Sequence, residues 1–178
     1  MKKFLFLILL VSCSLIEEID CGWKNYIIYP GKHASYNRQI NNNQEEDLVF
    51  DAIFLSGLYK FNDIDSLDWN KLFGVYQGNI HEDSYRFGWR IKQDNIIEIC
   101  AYVYLDKVRQ EPIILGETKL YQEDHYQILF LSAEVILIFN DQEARFPFSS
   151  NKPMKLSYPW FGGNKRAPTL ISILLKHC

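Results

Sequence analysis

Five polar side chains in the stretch "SYRFGWRIKQDNIIEICAYVYL" have types and spacing that could hold a ligand: Arg86, Arg90, Glu98, Tyr102 and Tyr104. Successive strand residues point to opposite faces, so Tyr85, Phe87, Trp89 and Ile91 share one face, and Ile97, Ile99, Ala101, Val103 and Leu105 share one face of the next strand. Both apolar sets must face the core. A two-residue loop at Asp94-Asn95 would set Trp89 against Cys100 and Arg90 against Ile99, core against solvent, whereas a three-residue loop from Gln93 to Asn95 pairs Trp89 with Ile99 and Phe87 with Ala101. Arg90 then lies opposite Glu98, Gly88 opposite Cys100, and Arg86 opposite Tyr102 with Tyr104 beyond. Two arginines and two tyrosines flanking a shallow gap suit a sugar: a ring stacks on its apolar side, and a guanidinium grips a carboxylate or sulfate through two parallel hydrogen bonds. The plainer reading is a cross-strand Arg90–Glu98 ion pair, with Arg86 lying on Tyr102 and the face open to water.

Other chemistry finds less support. Glycoside hydrolysis needs two carboxylates facing each other across a groove, and no ExDxE pattern exists; Glu98 is the one strand acid with a definite face, while Glu134 begins a hairpin. His33, His81, His125 and His177 have no mutual spacing for a metal, and His81 with Glu82 and Asp83 lacks the oxygen-rich spacing of a calcium loop. There is no GxSxG and no phosphate-binding glycine loop; "WFGGN" lies between Pro159 and Pro168, where a tight turn explains it. No metal and no cofactor is expected.

The elements that must position these residues are strands. "WKNYIIY" stops at Pro30-Gly31, a polar asparagine-rich loop spans 35–47, and "LVFDAIFLSGLYKF" begins a series that runs through "KLFGVY", the hairpin above, "EPIILGE", "HYQILFLS", "VILIFND", "ARFPF" and "LISILLK". Only "DIDSLDWNKL" could make a helical turn. Nine or ten short strands with hairpin turns predict an all-β fold, an antiparallel β-sandwich of jelly-roll type. A transmembrane barrel is disfavoured, because "IIEICAYVYL" and "VILIF" lack the apolar/polar alternation over ~10 residues that such barrels require.

Two stretches, "NKLFG…SYRFGWRI…IIEICAYVYLDKVR" (Asn70 to Arg109) and "YPWFGGNKRAP" (Tyr158 to Pro168), together with "NYIIYPGKHAS" nearer the start, resemble a group of lipid-anchored, jelly-roll-like lipoproteins of Gram-negative bacteria with no assigned activity. The resemblance covers most of the chain after Gly22. Those proteins often follow the Ala-Pro with a histidine, whereas Thr169 stands here, so no role resting on that position is carried over. A weaker likeness runs to concanavalin-like sandwiches that bind or cleave polysaccharides, and a fold of that kind does not fix a function.

The amino terminus carries Lys2 and Lys3, an apolar run from Phe4 to Val11, then Ser12 and Cys13, which is a secretory pattern far shorter than the ~20 residues of a membrane-spanning helix. Leu10, Val11, Ser12 and Cys13 resemble a lipobox, in which the cysteine is lipid-modified and becomes the mature terminus; Ser14 resembles the residue that permits outer-membrane sorting. The chain therefore divides into a signal peptide (1–12), a lipid-anchored tether (13–22) and one β-sandwich domain (23–178), anchored in a bacterial envelope. Losing Lys2 and Lys3 lowers the 19 basic residues to 17 against 22 acidic ones, a net charge of about −5, and no Lys/Arg stripe tracks a phosphate backbone, which argues against nucleic acid as a partner. Cys21 and Cys178 sit near the two ends of the domain and could pair. The expected partners are a membrane, through the lipid, and a glycan; the alternatives are a lyase-like enzyme and a structural envelope component.

Cys13→Ala is expected to abolish both metabolic labelling with a fatty-acid probe and membrane association. Label retained by the variant would refute the anchor.

Overall fold

The computed structural model describes residues 21–38, 43–44, 47–56, 68–93, 95–148 and 153–177. The expected leader and Cys13 lie outside them, as do residues 57–67, which carry the end of the expected long strand and the first half of the expected helical turn; the last three residues of that turn, Asn70 to Leu72, are strand. The described elements are β1 (Lys24–Ile28), β2 (Asn43–Gln44), β3 (Leu48–Ser56), β4 (Asn70–Gln77), β5 (Asp83–Gln93), β6 (Ile96–Leu105), β7 (Val108–Arg109), β8 (Ile113–Lys119), β9 (Glu123–Phe130), β10 (Glu134–Phe139), β11 (Gln142–Pro147), β12 (Met154–Ser157) and β13 (Ile171–His177). β2, β7 and β12 exceed the sequence expectation because two to four residues are too few to show a period.

All pairings are antiparallel and form two sheets. One runs β1-β13-β3-β9-β10-β11; the other runs β2-β12-β4-β5-β6-β7, with β8 also paired to β6. Alternation puts Leu48, Phe50, Ala52 and Phe54 of β3 inside, against Phe87 and Trp89 of β5 and Ile97, Ile99 and Ala101 of β6. Phe50 stands at the centre, stacked on Tyr126 at 4.8 Å and meeting Phe73 and Phe87 edge-on at 5.0 and 5.8 Å. A polar knot closes one margin: buried Asp124 accepts hydrogen bonds from Thr118, from Gln122 (2.8 Å) and from Asn140 (3.2 Å).

The β5–β6 pairing has the expected register, with Trp89 opposite Ile99, Arg86 opposite Tyr102 and Arg90 opposite Glu98, but not the expected loop. Gln93 pairs with Ile96, so two positions and not three separate the strands, and the odd residue is a bulge at Lys92. Asn95 has φ +60°, which asparagine tolerates well. Asp94 itself lies outside the described residues. At the other end of β6, Asp106 and Lys107 both have positive φ, the type I′ geometry that matches strand twist, and they fold β7 back so that Arg109 lies opposite Tyr104.

Cys21 is disulfide-bonded and Cys100 is free and buried; Cys178 lies outside the described residues.

Phe50→Ala removes a ring that three aromatic side chains from both sheets close around, and is expected to cost about 3–5 kcal/mol, read as a lower denaturant midpoint at unchanged slope. A cost below about 1 kcal/mol would show that the centre of the core lies elsewhere.

Candidate functional site

β5 and β6 are buried on both faces, because the face turned away from the core forms the floor of a cleft. Gly88, opposite Cys100, makes the floor close-packed: a Cβ there would stand 2.8 Å from Cys100 Sγ and 3.2 Å from Tyr102 Cβ. β4 contributes Lys71 beside a bulge between Lys71 and Gly74, and only a glycine fits at position 74, since a Cβ would approach the Tyr85 carbonyl to 2.3 Å. The "WFGGN" segment does turn tightly, with Gly162 at φ +65°. It is pinned over the sheet by Gly162 N–H donating to Asn70 Oδ1 (2.6 Å) and by paired backbone hydrogen bonds between Trp160 and Lys71.

The resulting cleft, of about 410 Å³, is lined by Lys71, His81, Tyr102, Tyr104 and Arg109, with Trp69, Asp68 and Glu111 at its margin. Lys71 Nζ donates to the carbonyls of Trp69 (2.9 Å) and Gly162 (3.2 Å) and lies 4.8 Å above the Tyr102 ring. Arg109 hydrogen-bonds to the Tyr102 hydroxyl, which also bonds Tyr104, and the His81 ring meets Tyr104 edge-on at 5.3 Å.

Arg86 lies beneath, 2% exposed. Its guanidinium rests against the rings of Tyr102 (5.1 Å) and Tyr104 (5.7 Å), yet Nε and Nη2 are buried without a hydrogen-bond partner, and no carboxylate pairs with it among the described residues. Those two N–H groups are the parallel fork with which arginine holds a carboxylate. Arg90, four residues along the same strand, has that fork occupied: Nε and Nη2 reach Glu98 Oε2 at 2.7 and 2.6 Å. Arg90 also lies 4.3 Å over Trp69 and, with Glu98, forms a satisfied pair that does not line the cleft. The Ser84 hydroxyl, two residues from Arg86 on the same face, is likewise buried and unpaired.

The cleft holds three cations and two acids, and burial decides the balance. Asp68 and Glu111 are exposed and screened by water, whereas Lys71 and Arg86 are buried, where a charge is felt strongly. Desolvation, with repulsion from Arg86, lowers Lys71 to about 8; desolvation pulls Arg86 down to about 10, opposed by Tyr102 and Tyr104, so it is charged at neutral pH. His81 is lowered first by partial burial and then by Arg86 and Lys71, which favours the neutral ring. The Tyr102 hydroxyl is raised, mainly by burial.

Of the residues expected from sequence, the structure brings Tyr102 and Tyr104 into the cleft with Arg86 beneath them, and sets Arg90 and Glu98 apart as an ion pair. Lys71 and Arg109 were missed: the bulge breaks the alternation of "KLFGVY", and the Asp106-Lys107 turn carries no Asn-Gly or Asp-Gly signal. Glu82 faces Lys107 at 3.9 Å and Asp83 caps the amide of Asp106, so the acids beside His81 serve the hairpin end; Glu134 is held by Arg145 at 2.8 Å. Among the described residues no group of three or more His, Cys, Asp or Glu side chains could hold a metal ion.

No protein-family model matches the chain, and a search of curated proteins finds no match. Solved structures do. The aly-SJ02 enzyme of polysaccharide lyase family 18 superposes with a TM-score of 0.56 at 7% identity, covering 89% of this chain and 87% of that one. An alginate lyase from Alteromonas sp. 272 gives 0.55 at 7% identity, covering 89% and 86%. At such identity the likeness shows the fold alone. This is an all-β, antiparallel sandwich of the jelly-roll kind that those two lyases also adopt.

The lowered Lys71 gives the free protein a pH dependence of definite sign. Its ordinary value is 10.5, so above pH 8 the unfolded chain binds more protons at this residue than the folded one and its contribution to stability rises with pH. The Lys71 contribution is expected between pH 8 and 9 at up to about 1 kcal/mol per pH unit, partly offset by Cys100, whose thiol ionises over the same range in the unfolded chain but not in the folded one, so it is read as the difference between the parent and a Lys71 variant. Chemical denaturation of the parent and of Lys71→Met across this window checks it; equal slopes in the two proteins would assign the effect elsewhere.

Proposed function

We propose that the protein binds an anionic glycan on the concave face of its second sheet, with a carboxylate of the sugar seated in the Arg86 fork. The observation that carries this reading is the buried, unneutralised guanidinium under an open cleft. An uncompensated buried charge costs several kcal/mol, and the tyrosine rings offset only part of that. A planar anion reaching the floor would satisfy Nε and Nη2 together, as Glu98 does for Arg90. Tyr104 and Trp69 at the cleft wall offer surfaces to the apolar side of a sugar ring. Sandwiches of the same fold include enzymes named as polysaccharide and alginate lyases, so a glycan can be accommodated by this architecture. We further propose that Cys13 carries a lipid that holds the domain at a bacterial envelope, with the outer membrane indicated by Ser14.

One observation favours a second reading, a lyase. His81, biased toward its neutral form beside Tyr104, could take the proton next to a carboxylate neutralised by Arg86. The C–H electrons would form the new C=C bond as the glycosidic C–O bond breaks and the departing oxygen gains a proton.

Arg86→Met tests the main reading. It is expected to remove binding to polyuronates, by at least about a hundredfold in Kd. The thermal midpoint should stay unchanged or rise, since a buried cation without a counter-charge is exchanged for an apolar side chain. Arg86→Lys, which keeps the charge but not the fork, should bind weakly. A parent that binds no polyuronate, or an Arg86→Met protein that binds as the parent does, would overturn the assignment. Accumulation of unsaturated uronate product, abolished by His81→Ala, would move the lyase to first place.

A further inference from the structure

A second cleft, of about 310 Å³, opens on the same face on the far side of β5. It is lined by Tyr76, Tyr158 and Trp160, with Arg38 and Lys155 as its cations. Trp160 is 39% exposed, with its ring stacked on His33 at 5.4 Å, and that imidazole is fixed by a 3.0 Å contact of Nδ1 with the Phe161 carbonyl. The indole is thus a braced, partly open surface and not a loose surface side chain.

Both clefts lie on one face of the sheet, with the fully buried Ser84 between them. Lys155 of β12 lies opposite Tyr76 of β4, Tyr76 opposite Ser84 of β5, Ser84 opposite Tyr104 of β6, and Tyr104 opposite Arg109 of β7. Four strand spacings of ~4.8 Å make this row ~19 Å long. Its ends are cationic, Lys155 at one and Arg109 at the other, and Arg86 stands on the same face of the central strand, two residues from Ser84. The Trp160 backbone is paired on both sides with that of Lys71, so the wall of the second cleft and the roof support of the first are one segment.

We propose that the Tyr76–Trp160 cleft is a second sugar subsite, which takes a further unit of the same anionic chain, so that the natural ligand is a polyuronate lying across the strands and not a single uronic acid. This rests on the assignment of the first cleft. The position on the same sheet face, the same sign of charge at both ends and the exposed Trp160 ring beside Tyr76, a surface that suits the C–H side of a pyranose, argue for a further sugar over an unrelated apolar ligand.

Titration calorimetry with free galacturonic and mannuronic acids and with their oligomers of increasing length tests it. The parent should bind oligomers at least about tenfold more tightly than the single acid, a difference of about 1.4 kcal/mol. Lys155→Ala, which touches only the second cleft, should reduce that increment while leaving the affinity for the single acid unchanged; Trp160→Ala should erase the increment. An affinity independent of length, or an increment that survives in Trp160→Ala, would overturn the second subsite and leave the first cleft standing. A Trp160→Ala protein that loses the single acid equally would make Trp160 a support for the first cleft and also overturn the proposal. Failure of the parent to bind any uronate would remove both assignments together.

Discussion

The pairing of β5 with β6 constrains everything else, because those two strands work on both faces. On one side Phe87, Trp89, Ile97 and Ile99 fill the sandwich; on the other Arg86, Gly88, Cys100 and Tyr102 make the floor of the cleft. A slip of one residue would carry Phe87 to the cleft and Arg86 into the aromatic core, so the hydrophobic demand for register also holds the guanidinium in place. The bulge at Lys92 lets a two-residue turn close the hairpin without disturbing that register. The bulge in β4 and the tight turn after β6 then add Lys71 and Arg109 to the positions that the hairpin defines.

The floor so built is electrostatically unfinished. Arg90 and Arg86 occupy the same face of the same strand, yet Glu98 satisfies the first while the second rests only on tyrosine rings. Folding tolerates this because the aromatic core around Phe50 supplies a surplus of apolar burial, and because Tyr102 and Tyr104 present their negative π faces to the cation. On the reading proposed above, the stability given up in the free protein is the interaction energy that a bound anion would recover.

The fold was largely legible in the sequence. Alternation in "SYRFGWRIK" and "IIEICAYVYL" defined the register that the structure shows, and turn residues marked most strand ends. Short strands were invisible because a period needs more than two to four residues. The site was half legible for a related reason: Arg86, Tyr102 and Tyr104 followed from alternation, whereas Lys71 sits beside a bulge where Leu72 and Phe73 both turn inward and the parity of the strand is broken. The depth of Arg86 could not be read from pattern, since the cover over that face comes in part from the distant Trp160–Asn164 segment.

Cys100 gives the cleft floor a built-in chemical clock. Its sulfur is wedged against Gly88, fully buried, and its thiol is pushed far above the ordinary range by desolvation, while Cys21 is already oxidised, which leaves Cys100 the one free thiol among the described residues. A thiol reagent can reach it only when β5 and β6 part. The rate of its modification therefore measures how often the central hairpin breathes, and the slowing of that rate by a bound sugar would register occupancy of the floor from underneath.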